Sequence, residues 1–517
     1  MLLKKYQPLF IFMLSLILFT MGLSSQEVIG FDSRFYLFAQ EMQRYGLSWF
    51  PTTYHAPYPD YSSASTVTIY GLSILAGELN KTISILPTAV LAAITVALTY
   101  MIGGLHSKRW GWYAALLLLL TGAFVKNARA ISLDMYPAAV TTACFYLIYA
   151  ADKFSSSRRV WWIYPLLILS FIFRGPIGLI IPSGVICTYY LFRKQFKKLL
   201  LHGLLIAFLL SICIILLLTI AQQTHGEVFM RAVLSMQVLG RMDNVFLPRT
   251  FYFTNSFGNY ALTYPLACLV LLGITLRGFS AYRSADTTFL FLLAGWVLVI
   301  LLGMSIPDDK KIRYVLPMAP ALALIAAYPF AVSSTRYFLF LRKGMASIFF
   351  IFPSILLSAL IFLAVYTHHH YFILMLIFAG FQIVNYVVKR DIIWLSVTVL
   401  SFMIFQCTVI ETWQIEKDKA RDFVLHTEWQ RSKSHSRLVF YREKPDSLPI
   451  KYLIHMSQVE RPLFIADEEA LLAFSEPAFF VTSKVYFTDL PPEKFQLIAE
   501  NTIGHVPVVV FTKKGLT

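Results

Sequence analysis

The chain has 517 residues, 57% of them hydrophobic and only 14% charged, against roughly 25% charge in soluble domains. Apolar runs of membrane-spanning length recur from residue 8 to residue 413, so lipid is the solvent for most of the chain and domain counts based on soluble proteins do not apply. The net charge of +16 does not indicate nucleic acid, because the basic residues form short clusters between apolar runs (Lys4-Lys5, Lys108-Arg109, Arg158-Arg159, Arg193-Lys194 with Lys197-Lys198, Arg336 with Arg342-Lys343, Lys389-Arg390), as on the cytoplasmic flanks of spans.

Residues 1–25 have the layout of a signal peptide, with Lys4-Lys5 before an apolar core, but no clear cleavage site. They are read as an uncleaved first span, 8–23, with a cytoplasmic N-terminus. A polar, aromatic outer loop, 26–81, follows, with surface helices expected at 33–45 and 65–79. The second span is 83–105. Stretches 111–150 and 161–191 are apolar at both ends, polar in the middle and flanked by basic residues on both sides. Each is therefore read as two short spans meeting at an outer turn. Further spans are expected at 200–221, 259–274, 288–306, 314–332, 345–366, 372–388 and 392–413, with a second outer loop at 222–258. The total is about thirteen spans, which places the C-terminus outside. The five cysteines, Cys144, Cys187, Cys213, Cys268 and Cys407, lie in apolar segments without disulfide or metal spacing and read as small packing residues.

Composition changes abruptly at residue 414. β-like runs at 437–441, 463–466, 478–482 and 506–511 alternate with helix-like segments at 467–474 and 492–500, which predicts a small α/β domain over 414–517. It contains neither a nucleotide-binding glycine loop nor a nucleophile elbow.

Chemistry is expected where polar groups meet the outer membrane face. Asp32, just after the first span, can act as a general base toward an acceptor hydroxyl; the competing reading is a helix N-cap. Asp134, five residues after Arg129, is either a site acid or the cap of the next span, with Arg129 snorkelling. Outer cations come next: Arg174, Arg241, Arg249, and Lys310, Lys311 and Arg313 beside Asp308-Asp309. Such a group suits a lipid phosphate or pyrophosphate, binding it and stabilising charge as it leaves; interfacial anchoring is the alternative. His55, Tyr58 and Asp60 form a polar-aromatic patch for substrate contact, although interfacial tyrosine is common. His368-His369-His370 in a tight turn, and His225 with Glu227, are weak metal candidates, so no metal site is assigned.

Several segments then match one family in order. Asp32, Tyr36, Glu41-Met42, Gly46, Trp49 and Pro51, the Arg129 to Asp134 stretch, Arg174-Gly175-Pro176 with Ile181-Pro182, and Lys311-Ile312-Arg313-Tyr314-Val315-Leu316-Pro317 with Pro320-Ala321-Leu322-Ala323 together resemble the bacterial aminoarabinose transferases and protein O-mannosyltransferases of the glycosyltransferase C fold. Two departures stand out. The chain has Asp32-Ser33 where the family commonly has Asp-Glu, and Tyr58-Pro59-Asp60-Tyr61-Ser62-Ser63 where it has an acidic-Lys-Pro-Pro motif.

The resemblance implies a transmembrane catalytic domain, 1–413, with outer loops 26–81 and 222–258, and a periplasmic α/β domain, 414–517, in the inner membrane. It implies an inverting hexosyl- or pentosyltransferase using a polyprenyl-phosphate sugar, with lipid A, another glycan or a protein as acceptor. Asp32 is then the base, with Asp134 as a second catalytic acid. Arg174, Lys310, Lys311 and Arg313 face the donor phosphate, Arg129 faces substrate and Asp60 takes the acidic place of the first-loop motif; the residue-based reading adds Arg241 and Arg249 toward the phosphate and His55 and Tyr58 toward substrate. No cofactor is firmly implied, and a divalent cation is left open. The alternative is a transporter or flippase of a lipid-linked glycan, which predicts charge near mid-membrane on broken helices; here the charge lies at span ends.

Overall fold

Backbone amides and carbonyls in hydrocarbon must be satisfied within their own segment, and the apolar runs accordingly fold as helices. The computed structural model describes residues 6–30, 32–59, 62–239, 247–276, 285–332, 335–367, 371–417, 420–456 and 462–514. The chain folds as two compact units: Met1–Met21, Pro59–Ser62 and Ile85–Gln406 make the first, and Gly22–Tyr58, Ser63–Ser84 and Cys407–Thr517 the second. The tail thus shares a unit with most of the first loop.

Among the described residues six helices are long and apolar enough to cross a membrane: Lys81–Gly104, Phe196–Gln237, Ala285–Met304, Ile312–Ala331, Arg336–Tyr366 and Asp391–Gln414. Two bent pairs, Lys108–Leu119 with Gly122–Ala128 (71°) and Phe251–Asn259 with Thr263–Thr275 (114°), also qualify, and Gln7–Thr20, Ala64–Ala76, Pro176–Phe192 and Phe372–Val387 are shorter apolar helices. The chain is a helical multi-pass membrane protein with a small sheet domain. Ile312–Ala331 is 94% buried whereas Phe196–Gln237 is 17% buried, so the former sits at the centre of its unit and the latter presents its side chains to lipid.

Both ambiguous stretches resolve into helices meeting at a polar turn. Lys108–Leu119 and Gly122–Ala128 lead through residues 129–134 into Met135–Lys153, and Ile163–Arg174 meets Pro176–Phe192 at Gly175. The described residues of the loop placed at 222–258 are largely helical: Phe196–Leu234 continues through a break at Gly226 (φ 83°, ψ 179°), helped by an i,i+4 Glu227–Arg231 ion pair at 2.6 Å. The expected span 314–332 is present as Ile312–Ala331; it begins as a 3₁₀ helix, Ile312–Met318, and continues as Ala319–Ala326 and Tyr328–Ala331, because Pro317, Pro320 and Pro329 each remove a backbone donor.

In the second unit strands β1 (Thr52–Thr53) and β2 (Ala56–Pro57) form a hairpin in the first loop. Strands β3 (Arg437–Tyr441), β4 (Leu463–Ile465), β5 (Ala478–Ser483), β6 (Phe495–Ile503) and β7 (Val506–Lys513) form a mixed sheet in the order β4-β3-β5-β7-β6. β3 is parallel to β4 and β5; β7 is antiparallel to β5 and β6. Alternate residues of β3 feed two cores, Leu438 and Phe440 on one face and Val439 and Tyr441 on the other. The helix expected at 492–500 is instead strand β6. Its pairing with β7 is set by the two-residue turn Gly504-His505, both with positive φ (55° and 68°), a geometry suited to a tight hairpin. Val28 and Leu37 of the first loop pack with Ile450 and Ile454 of the tail, and Tyr54 at the β1–β2 turn joins them. This apolar packing is why the first loop belongs with the tail.

Candidate active site

The charged constellation of the first unit is assembled at helix ends. Gly175 has φ 65° and ψ −155°, a region open essentially to glycine alone. Pro176 then starts the next helix at a position where its missing N–H costs nothing. A Cβ at Gly178 would collide with the Ser170 carbonyl oxygen and lie 3.0 Å from Arg174 Cβ. The Arg-Gly-Pro-x-Gly run is therefore a tight helix–helix corner that fixes the Arg174 side chain.

Arg174 is 3% exposed, and its Nε donates to Asp134 Oδ1 at 2.7 Å. Arg313 Nε approaches the other oxygen, Oδ2, at 3.2 Å. Asp134, 3% exposed, precedes Met135–Lys153 yet makes no side-chain cap. The capping alternative is not realised; its carboxylate lies between two guanidiniums. The turn that delivers it is braced by Ser132, whose hydroxyl donates to Asn127 Oδ1 (2.9 Å) and whose N–H donates to Thr88 Oγ1 (3.3 Å).

Arg174 Cζ, Arg313 Cζ and Lys311 Nζ lie 5.6, 5.8 and 5.9 Å from the centre of the Tyr314 ring, within reach of cation–π attraction. The Tyr314 hydroxyl donates to Asp309 Oδ2 at 3.1 Å, and Lys311 Nζ is 3.4 Å from that atom. Buried Lys310 donates to the Leu247 carbonyl at 3.1 Å. The Tyr252 hydroxyl accepts from the Lys311 N–H (3.2 Å), and the Tyr260 hydroxyl donates to the Ile312 carbonyl (3.4 Å). Arg174, Arg313 and Lys311 thus share one locality with Asp134 and Asp309. The roles of Tyr314, Tyr252 and Tyr260 were not assigned from sequence; Tyr314 had a signal, its place in the Lys-x-x-Tyr segment.

Arg129 is buried, and its guanidinium donates to the carbonyls of Leu18 (3.2 Å), Phe19 (2.9 Å) and Met21 (2.9 Å). These are orphan acceptors at the end of the Gln7–Thr20 helix, where a cation is also favoured by the helix dipole. Arg249 is exposed in the turn before Phe251–Asn259. Arg241, Asp60 and His368-His369-His370 lie outside the described residues. Glu227 pairs with Arg231, and the His225 ring packs edge-on to Phe229; among the described residues no group of three His, Cys, Asp or Glu is placed to hold a metal ion.

In the second unit Asp32 is 8% exposed in the first turn of Asp32–Tyr45, where the helix dipole favours a carboxylate. Tyr54 and His55 both have positive φ (55° and 60°) at the β1–β2 turn, and buried Glu41 accepts the His55 N–H at 3.2 Å. The His55 ring packs 4.2 Å from Tyr45. Tyr58 packs 5.5 Å from Phe38, lies under Arg34 at 5.4 Å and donates to Asp446 Oδ2 at 3.3 Å. Burial raises the Tyr54 phenol well above its ordinary value, with Asp446 and Glu41 adding to the effect, so it remains a neutral donor to the Pro445 carbonyl at 2.5 Å.

The helical fold defines a class, the polytopic glycosyltransferase C architecture. Solved structures of that fold similar to this chain include ArnT, an aminoarabinose transferase from Cupriavidus metallidurans, bound to undecaprenyl phosphate: TM-score 0.72, 17% identity, 97% of each chain covered. The apo state of the same protein gives TM-score 0.72 at 15% identity over 97% of each chain. At this identity the likeness establishes the fold. No protein-family model matches the chain, and no curated protein does.

Proposed function

We propose that the chain is an inverting glycosyltransferase of the inner membrane that takes its sugar from a polyprenyl-phosphate donor on the periplasmic side. The observation that carries the reading is the buried Asp134 carboxylate held between Arg174 and Arg313 with Lys311 alongside. The fold adds support: a solved protein of the same fold is described as bound to undecaprenyl phosphate. An active site turned away from the cytosol has no access to cytosolic nucleotide sugars, which makes a lipid-carried donor the natural solution.

In the proposed reaction the acceptor hydroxyl attacks the anomeric carbon from the face opposite the phosphate. The new C–O bond forms as the bond to the phosphate oxygen breaks. Asp32 takes the hydroxyl proton, and the polyprenyl phosphate leaves with its growing charge opposite Arg174, Arg313, Lys310 and Lys311. Asp134 has an arginine on each oxygen, so its role is to hold the two guanidiniums in place. Arg129, tied to the end of the first helix, keeps the preceding turn in register. Lipid A or another envelope glycan is favoured over protein as acceptor.

The test is transfer from a panel of polyprenyl-phosphate sugars to envelope lipid extracts in proteoliposomes. Asp32→Asn is expected to lower kcat by about 10²- to 10⁴-fold, and Lys311→Gln to raise the donor KM. Full activity in Asp32→Asn overturns the assignment of the base; movement of donor across the bilayer without transfer overturns the reaction.

A further inference from the structure

A pocket of about 400 Å³ opens in the second unit, bounded by Ser33 and Arg34 of the first loop, Asp446 and Lys451 of the tail, and the Gly504-His505 turn. Its size falls within the range that holds small molecules and is larger than a bare inorganic anion needs.

Three features give the pocket its chemistry. Two cations, Arg34 and Lys451, and one carboxylate, Asp446, line it, and that carboxylate accepts the Tyr58 hydroxyl at 3.3 Å. Arg34 is steadied by the Tyr58 ring at 5.4 Å and by the Asp446 carbonyl at 3.5 Å. The Lys451 ammonium packs against Gly504: a Cβ there would lie 2.6 Å from Nζ. Ser33 is 1% exposed, and its hydroxyl has no hydrogen-bond partner among the described residues. A buried hydroxyl left unmatched carries a desolvation cost that a ligand atom can relieve.

We propose that this pocket binds an anionic, sugar-sized headgroup, a phosphorylated or carboxylated monosaccharide. Arg34 and Lys451 take the anion, and Ser33 bonds a ring hydroxyl. The inference rests on the second unit's own geometry and stands whether or not the sugar-transfer reading holds.

The test uses the full-length protein in phosphatidylcholine nanodiscs without donor, in an Arg174→Gln background that weakens the cation cluster of the first unit. Glucose 1-phosphate binding is followed by ³¹P relaxation. Arg34→Gln and Lys451→Gln are each expected to weaken it about tenfold or more, as loss of a charge-assisted contact implies, while Lys451→Arg retains it and so reports intact folding. Ser33→Ala is expected to weaken glucose 1-phosphate more than inorganic phosphate. Adding phosphatidic acid to the nanodiscs separates the sources: competition assigns the pocket to a lipid headgroup, and undiminished binding assigns it to a soluble sugar phosphate. The proposal is overturned if Arg34→Gln and Lys451→Gln bind like the parent, or if glucose competes as well as glucose 1-phosphate.

Discussion

Replacing Asp134 by Asn removes the charge that holds two guanidiniums together while keeping side-chain size. Asp134 and Arg174 side chains are each 4% exposed, their ion pair spans 2.7 Å, and Arg313, 23% exposed, lies 3.2 Å away on the other oxygen. Breaking a buried pair by removing one partner costs about 3–5 kcal/mol, because the remaining charge loses its counter-charge. Here two cations are left facing each other, one of them partly solvated, so about 3 kcal/mol is expected for Asp134→Asn. Arg174→Gln leaves Asp134 still paired with Arg313 and is expected to cost less, about 1–2 kcal/mol. The double variant removes the buried cation along with the acid, so its cost falls below the sum of the singles by about 1–2 kcal/mol. The assay is reversible SDS unfolding in mixed micelles, followed by tryptophan fluorescence for the four members of the cycle. Additivity within about 0.5 kcal/mol would show that the pair is not coupled and refute the reasoning.

Gly175→Ala places a side chain at φ 65°, ψ −155° and is expected to cost about 1–3 kcal/mol, read as a lower SDS midpoint, with a raised donor KM because Arg174 is carried on that corner. Arg129→Gln removes the charged donor to three carbonyls and is expected to speed amide exchange in the last turn of Gln7–Thr20, which mass spectrometry resolves; unchanged exchange would refute the bracing role. His455 in the tail is held at a pKa of about 4 by burial and, secondarily, by Arg421. The folded form therefore binds fewer protons than the unfolded chain between pH about 6.5 and 4. Stability is full above that window and falls as the pH drops through it; melting at pH 7.5 and 4.5 is expected to differ less in His455→Gln than in the parent.

The membrane half was legible because its signals are local. Basic flanks and apolar run lengths located the broken stretches 111–150 and 161–191, and Arg174-Gly175-Pro176 announced its corner through residues that only a turn accommodates. Strand β3 was expected at the residues where it forms, since a run rich in Leu, Val, Phe and Tyr is distinctive. Strand β6 was missed: residues 492–500 carry charges at helical spacing, and what overrides them is pairing with β7 across the Gly504-His505 turn. That residues 222–234 are helical was not read from the sequence; Glu227 and Arg231, paired at i,i+4, support that helix.

Site residues were legible by type, and their partners were not. Asp134 and Arg129 stand five residues apart and suggested a joint role; the partners that give each its place lie far along the chain, Arg174 and Arg313 for Asp134 and the carbonyls of the first span for Arg129. The positive charge of a guanidinium bound to helix-end carbonyls suits the negative end of the helix dipole. The consequence is a constraint on the chemistry. In the proposed transfer a carboxylate with a guanidinium on each oxygen serves to place cations, and the hydroxyl proton goes to Asp32.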